Sequence, residues 1–198
     1  MLYIIRHGQT EMNSRRLLQG RSDIPLNSQG IAQAEEAALL LRSKGICFDH
    51  VFSSPLARAV QTAAILADGT PVHTDPRLIE MDYGPYEGAD LRDPAPELRH
   101  FFEDFIRNPA PAGMEPLQEV VARTGQFLEE LRLLKGNVLI STHAVSMKGI
   151  LEYLSPDSHG SYWSKYIANC EIYCCEQSEA GFTVPFSLGT GLPVTPGV

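Results

Sequence analysis

The chain has 198 residues, 43% of them hydrophobic and 20% charged, with a formal net charge of −8. These totals fit an ordinary globular fold with a real core and argue against disorder. The acidic balance speaks against a nucleic-acid or anionic-membrane binder, since both need a basic face, and no apolar run approaches membrane-spanning length.

The first element, Leu2-Tyr3-Ile4-Ile5, is a short apolar run of strand formers, the pattern of a strand buried on both faces of a parallel sheet. It turns polar at Arg6-His7-Gly8, with Thr10 and Asn13 following. A run that short, ending in Arg6, does not fit a signal peptide. A loop over Ser14 to Ser28 carries Arg15, Arg16 and Arg21, and then a helix capped by Asn27 or Ser28 places Ile31, Ala34, Ala38 and Leu41 on one face. Val51-Phe52 forms a second strand that runs into Ser53-Ser54-Pro55, with Ser54 as N-cap and Pro55 at the first helical position. Leu56, Ala59, Val60, Ala63 and Leu66 make that helix's apolar stripe.

A short strand at Pro71 to His73 leads to Leu78-Ile79-Glu80 and a turn-rich stretch from Tyr83 to Gly88. Residues 89–116 are dense in proline yet include Phe101, Phe102, Phe105 and Ile106, and read as an inserted helical flap over the sheet end. A long helix from Leu117 to Leu131 follows, with Lys135 near its end and Gly136 as its C-terminal cap. Val138-Leu139-Ile140 is a second buried strand, running through Ser141-Thr142 into His143 and another helix. Residues 170–187 read as a terminal hairpin, and 189–198, rich in Gly, Pro and Thr, as a loose tail. The expected architecture is a three-layer α/β/α sandwich with a mostly parallel central sheet, in one domain over residues 1–188. Cys47, Cys170, Cys174 and Cys175 match no common zinc spacing and no histidine pair has helix-metal spacing, so no metal and no cofactor are expected. The thiols read as reduced and mostly buried, in a cytoplasmic protein.

One local design occurs twice: a buried strand ending in Arg6-His7 and another ending in Thr142-His143. If both strands are central and parallel, both histidines emerge at one sheet edge, where open α/β folds place ligands. A third strand delivers Ser53-Ser54 and then Arg58 in the first turn of a helix, whose N-terminus attracts anions. Arg6, Arg58, His7 and His143 converging there would bind a phosphate dianion, with arginine offering forked donors that match its oxygens. Taken singly, each has a plainer reading: His7 or His143 a satisfied strand-end histidine, Arg58 a solvated helix residue, Glu80 a surface carboxylate, Asn13 a capping residue.

Together these residues resemble the histidine phosphatase superfamily, the phosphoglycerate-mutase-like fold. Arg6-His7-Gly8-Gln9-Thr10 with Asn13 is similar to its R-H-G-x-T-x-x-N signature, and the segment from Gly20 to Gly30 to its G-x-x-D-x-x-L-T-x-x-G, with Asn27 replacing the usual threonine. Ser53 to Ala63, Leu78 to Gly84 with Glu87-Gly88, and Ser141-Thr142-His143-Ala144 resemble three further motifs in the family's order. The resemblance implies that His7 attacks phosphorus and becomes a phosphohistidine. Arg6, Arg58 and His143 then hold the phosphoryl oxygens, Asn13 adds a hydrogen bond, and Glu80 protonates the leaving oxygen before activating water. Tyr83 and the flap would shape the pocket for the alcohol. The implied activity is that of a metal-independent phosphomonoesterase on a small phosphorylated metabolite, of the compact type that includes α-ribazole phosphatases and broad-specificity phosphatases. The alternatives are mutase-type transfer back to substrate, disfavoured by Gln9 and the modest flap, and a non-catalytic phosphate-binding scaffold, which would be expected to lose His7 or Glu80. Mutual electrostatics of the site predict an acidic to neutral pH optimum. Tyr83, Tyr86, Phe101, Phe102 and Phe105 offer an aromatic rim for a bulky alcohol, or simply pack the flap.

Overall fold

The computed structural model describes residues 1–189. A six-stranded sheet runs in the order β3-β2-β4-β1-β5-β8. Its strands are β1 (Leu2–Arg6), β2 (His50–Ser53), β3 (Val72–Thr74), β4 (Val138–Thr142), β5 (Ile172–Cys175) and β8 (Phe186–Gly189). The four from β3 to β1 are parallel, and β5 and β8 are antiparallel additions. β1 and β4 lie side by side at the centre with Arg6 opposite Thr142, so His7 and His143 leave the sheet as neighbours.

Burial on both faces explains the apolar runs. Leu2 and Ile4 enter one core with the helices α5 (Leu117–Leu131) and α6 (Ala144–Leu154), and Tyr3 and Ile5 enter the other with α2 (Ser28–Ser43) and α3 (Ala57–Leu66). Cys174 and Cys175 divide between these cores in the same way, as strand alternation requires. All four cysteines are free, with Cys47 exposed and the other three buried.

The proline-rich insertion packs against the first turns of α5 and α6. Its helix α4 (Pro96–Glu103) buries Leu98 and Phe101 in a third apolar cluster with Met81, Leu117, Val120 and Val145. Phe101 is fully buried and packs on Phe105 at 4.8 Å, so this ring serves the flap's own core.

Several local expectations change. Ile31 is 41% exposed, and Ala37 and Gly30 complete the buried face of α2 instead. Ser54 does not cap α3: Leu56 is at that position, and the carboxylate of Asp23 accepts the Ala57 N–H from across the loop at 2.7 Å. The long helix ends at Leu131, and Gly136 turns the chain into β4 rather than capping it. The C-terminal hairpin is split, because β6 (Gln177–Ser178) and β7 (Gly181–Phe182) form a small ribbon of their own. The partner of β5 in the main sheet is β8, which takes Gly189 out of the expected tail by pairing it with Ile172. Residues 190–198 of that tail lie outside the described residues.

The loop after β1 is fixed by a close backbone approach. A Cβ on Gly8 would lie 2.4 Å from the Gly30 carbonyl oxygen, and one on Gly30 would lie 2.1 Å from that of Gln9. Only glycine lets the N-terminus of α2 press on the segment that carries His7. Gly30→Ala should therefore lower unfolding free energy by about 1–3 kcal/mol in urea titrations, the usual range for overpacking; a change below about 0.5 kcal/mol would contradict this packing.

Candidate active site

The candidate residues of the five motifs meet at the carboxyl ends of β1 and β4. Arg58, Glu80, His7 and His143 are all buried, Arg58 and His143 completely. The two imidazole rings stand 5.1 Å apart, edge to face.

His7 has a defined proton arrangement. Its Nδ1 is 2.7 Å from the carbonyl oxygen of Gly8, which only accepts, so the ring proton resides on Nδ1 and Nε2 carries the lone pair. Burial holds this imidazole well below the ordinary histidine range, and the Arg58 and Arg6 charges push in the same direction. Nε2 faces the Arg58 Nε–H at 3.2 Å. The same N–H lies 3.2 Å from His143 Nδ1, so the arginine donor points between the two rings. With Nδ1 accepting, His143 donates through Nε2 to Ser54 Oγ at 2.7 Å. The same hydroxyl accepts the Leu56 N–H at 3.3 Å, ahead of the first turn of α3.

Arg58 is gripped by backbone. Its two terminal nitrogens donate to the carbonyls of Ser22 at 2.7 Å and Gly20 at 2.6 Å. Burial brings it down to about 10, with Glu80, Glu87 and Asp23 opposing the fall, so it remains a cation at neutral pH. Glu87 holds the loop in turn, accepting the Gly20 N–H with both carboxylate oxygens at 3.0 Å and the Ser22 N–H at 3.3 Å. Arg6 anchors one terminal nitrogen on the Ile167 carbonyl, while its Nε–H is buried without a protein partner.

Glu80 sits at the N-terminus of α6. Its Oε1 accepts from the Met81 and Ser146 amides at 2.9 and 3.0 Å, and its Oε2 accepts from the Val145 amide at 3.2 Å. Asn13 fulfils its plainer reading: with Thr10 it forms a capping box on the short helix α1 (Glu11–Ser14). Its Nδ2 faces Gln19 Oε1 at 3.5 Å, and Asn169 bridges its Oδ1 to the His7 carbonyl. Tyr83 is buried in the flap cluster and feels the charges of Glu80, Arg6 and Arg58. No group of three or more potential metal-ligating His, Cys, Asp or Glu side chains is gathered among the described residues.

Sequence reasoning missed Gln19, Glu87 and Asn169 as site residues. Gln19 Nε2 is buried and without a protein partner, while its Oε1 accepts from the Thr10 hydroxyl and faces Asn13 Nδ2. Glu87 was visible within a motif, but only the fold shows that its carboxylate reaches the Gly20 loop.

Residues 2–186 match the model of the histidine phosphatase superfamily (branch 1). The chain belongs to that superfamily. A Hydrogenobacter thermophilus relative with the provisional name phosphoserine phosphatase 2 is 31% identical, covering 86% of both chains. A 2,3-bisphosphoglycerate-dependent phosphoglycerate mutase of Xanthobacter autotrophicus is 33% identical over 79% of this chain and 83% of its own. A crystal structure from Escherichia coli K-12, provisionally an alpha-ribazole-5'-P phosphatase, superposes with a TM-score of 0.79 at 26% identity, covering 95% of each chain. No helix among the described residues is long and apolar enough to cross a membrane.

The two buried, neutral histidines of this superfamily member link the site to stability. Unfolding releases both to the ordinary value near 6.5, whereas in the fold burial first, and Arg58 next, hold them well below it. Between those limits the unfolded chain binds more protons, so stability should fall as pH drops below about 6.5, by about 1.4 kcal/mol per pH unit for each histidine. Urea unfolding between pH 7 and 5 measures this slope, and His143→Asn should reduce it by one proton; an unaltered slope would sink the assignment.

Proposed function

We propose that the chain is a phosphomonoesterase that transfers the phosphoryl group of a small phosphorylated metabolite to His7 Nε2 and then to water. The observation that carries this reading is the His7 imidazole, locked by Gly8 with its lone pair on Nε2 and faced by the Arg58 N–H. A neutral, oriented nucleophile with a cation beside it suits phosphoryl transfer, which depends on positioning and charge stabilisation.

Arg58 Nε–H, between the two rings, meets a phosphoryl oxygen as phosphorus approaches His7. The free Nε–H of Arg6 and the Nε2 of Gln19 supply further donors from buried positions, and Asn13 adds its amide from α1. An incoming dianion favours a second proton on His143, which turns its Nδ1 from acceptor to donor toward the phosphoryl group. Glu80 gives a proton to the leaving oxygen, so the ester bond breaks as the phosphorus–nitrogen bond forms. It then takes a proton from the water that attacks the phosphohistidine, and His7 leaves with its lone pair restored. Its Oε2 is the freer oxygen for this exchange, having one amide partner where Oε1 has two and a nearby Ser146 hydroxyl. Charge on the transferring group is met by arginines, with no step that needs a metal. Tyr83, buried in the flap cluster, is the aromatic residue this reading assigns to the alcohol side.

Hydrolysis is favoured over mutase transfer by Gln9 after Gly8 and by a flap whose helix is only eight residues long. Four free thiols, three of them buried, support a reducing compartment and hence the cytoplasm. Phosphate release from p-nitrophenyl phosphate by EDTA-treated protein should continue unimpaired. His7→Ala should lose at least about 10³-fold in kcat together with acid-labile, base-stable phosphate labelling; normal turnover in that variant would defeat the covalent route. Glu80→Gln should slow esters of poor leaving groups by about 10²–10⁴-fold while sparing p-nitrophenyl phosphate, whose leaving group needs little protonation. Equal losses on both would remove Glu80 from the acid role.

A further inference from the structure

The three carbonyls that lead into Glu80 are each held by a side chain from a different element. Arg123 of α5 donates through Nη1 to the Arg77 carbonyl at 2.7 Å, and Thr142 at the end of β4 donates to the Leu78 carbonyl at 2.8 Å. Ser146, in the first turn of α6, donates to the Ile79 carbonyl. Arg123 is fixed in turn by a forked pair with Glu115, at 2.7 and 3.2 Å. Glu115 grips the chain on the far side of Glu80: its carboxylate accepts the Asp82 N–H at 3.0 Å, and its own N–H donates to the Asp82 carbonyl at 2.8 Å. The Arg123–Glu115 pair thus braces Glu80 from both directions along the chain. The charge of Arg123 also reaches the reacting centre: after burial, Arg58 and His7, it helps to hold His143 well below the ordinary histidine range.

The Ser146 hydroxyl has one proton and faces two acceptors. Besides the Ile79 carbonyl, its oxygen lies 3.3 Å from Glu80 Oε1. Arg123 Nη2 stands 3.3 Å from the same oxygen. A guanidinium only donates, so it occupies a lone pair of the hydroxyl and turns the serine proton toward Ile79 or Glu80. Ser146 is fully buried, where such a donor counts for more than in water. Oε1 of Glu80 already accepts two amides, so the acid form carries its proton on Oε2. We infer that Ser146, oriented by Arg123, is a positioning residue for Glu80: its O–H rests on the Ile79 carbonyl while Glu80 is the acid, and swings to Oε1 as Glu80 gives its proton to the leaving oxygen. The proton that moves between molecules is the one on Oε2; the serine proton stays on its own oxygen and changes acceptor. When the attacking water returns a proton to Oε2, the hydroxyl goes back to Ile79. The swing favours the ionised carboxylate, so it speeds the acid step and gives the base step no help. This rests on the phosphomonoesterase reading and adds to it how the acid is made to release its proton.

Two esters that differ in leaving group separate this role from plain scaffolding. Ser146→Ala should lose about 10- to 100-fold in kcat/KM on glycerol 3-phosphate, the range of a hydrogen bond to a charged group. On p-nitrophenyl phosphate, whose leaving group needs little protonation, the loss should shrink to less than about threefold. Ser146→Thr, which keeps the hydroxyl, should recover most of the activity on glycerol 3-phosphate. Because the hydroxyl acts through Glu80, adding Ser146→Ala to Glu80→Gln should cost nothing further on that ester. Equal losses on the two esters, no loss on glycerol 3-phosphate, or an additive loss in the Glu80→Gln background overturns the role of Ser146. If Ser146→Ala does not fold, Arg123→Lys makes the same comparison, since lysine lacks the planar fork that serves the Arg77 carbonyl, Glu115 and Ser146 together. A loss confined to glycerol 3-phosphate then supports the inference, and an equal loss on both esters overturns it. Wild-type protein that hydrolyses neither ester overturns the phosphomonoesterase reading, and this inference with it.

Discussion

The buried guanidinium of Arg58 is the constraint on which the site depends. It is fully excluded from solvent, and its hydrogen-bonding neighbours are two carbonyls and two imidazoles rather than a carboxylate. A cation so placed must be satisfied in every direction or the fold loses several kcal/mol. The Gly20 and Ser22 carbonyls meet that demand only because Glu87 pins their loop. Asp23 then ties the loop to the first turn of α3, which carries Arg58 itself. With both terminal nitrogens bound to that loop, the remaining Nε–H points between His7 and His143.

That geometry also explains the protonation states. Two imidazoles within reach of one arginine would not both be charged in a buried space, and burial alone already favours their neutral forms. The cost appears in stability at acidic pH, and the return is a His7 imidazole whose Nε2 lone pair carries no proton. Stability and chemistry are coupled here through one set of contacts.

The central sheet was legible because its strands are buried on both faces and read as continuous apolar runs ending in polar residues. Leu2–Ile5 and Val138–Ile140 announce themselves, and their parallel pairing brings His7 beside His143. Arg58 and Glu80 were legible through motifs. Less could be read where a residue's local role competes with a distant one. Ser54 has the sequence setting of a helix cap, yet its hydroxyl pairs with His143, and the cap comes from Asp23. Likewise, β5 looked like half of a simple hairpin, but its partner is β8, beyond an intervening ribbon. Gln19 and Asn169 carry no periodic or compositional signal of function, and Glu87, visible within a motif, gains its role only from its contact with the Gly20 loop across the fold.

Under the proposed phosphomonoesterase reading, the phosphate half and the alcohol half of this site are built from different material, with different consequences for divergence. The phosphate half hangs on strand ends, helix N-termini and the glycine contact between Gly8 and Gly30, where a single added carbon meets backbone. Such a region resists change, since nearly every group has two duties. The alcohol half is bounded by the flap, whose cluster rests on interchangeable apolar volume around Phe101, Leu98 and Met114. Apolar packing tolerates substitution if volume is conserved, so the flap can be reshaped without disturbing the arginine network.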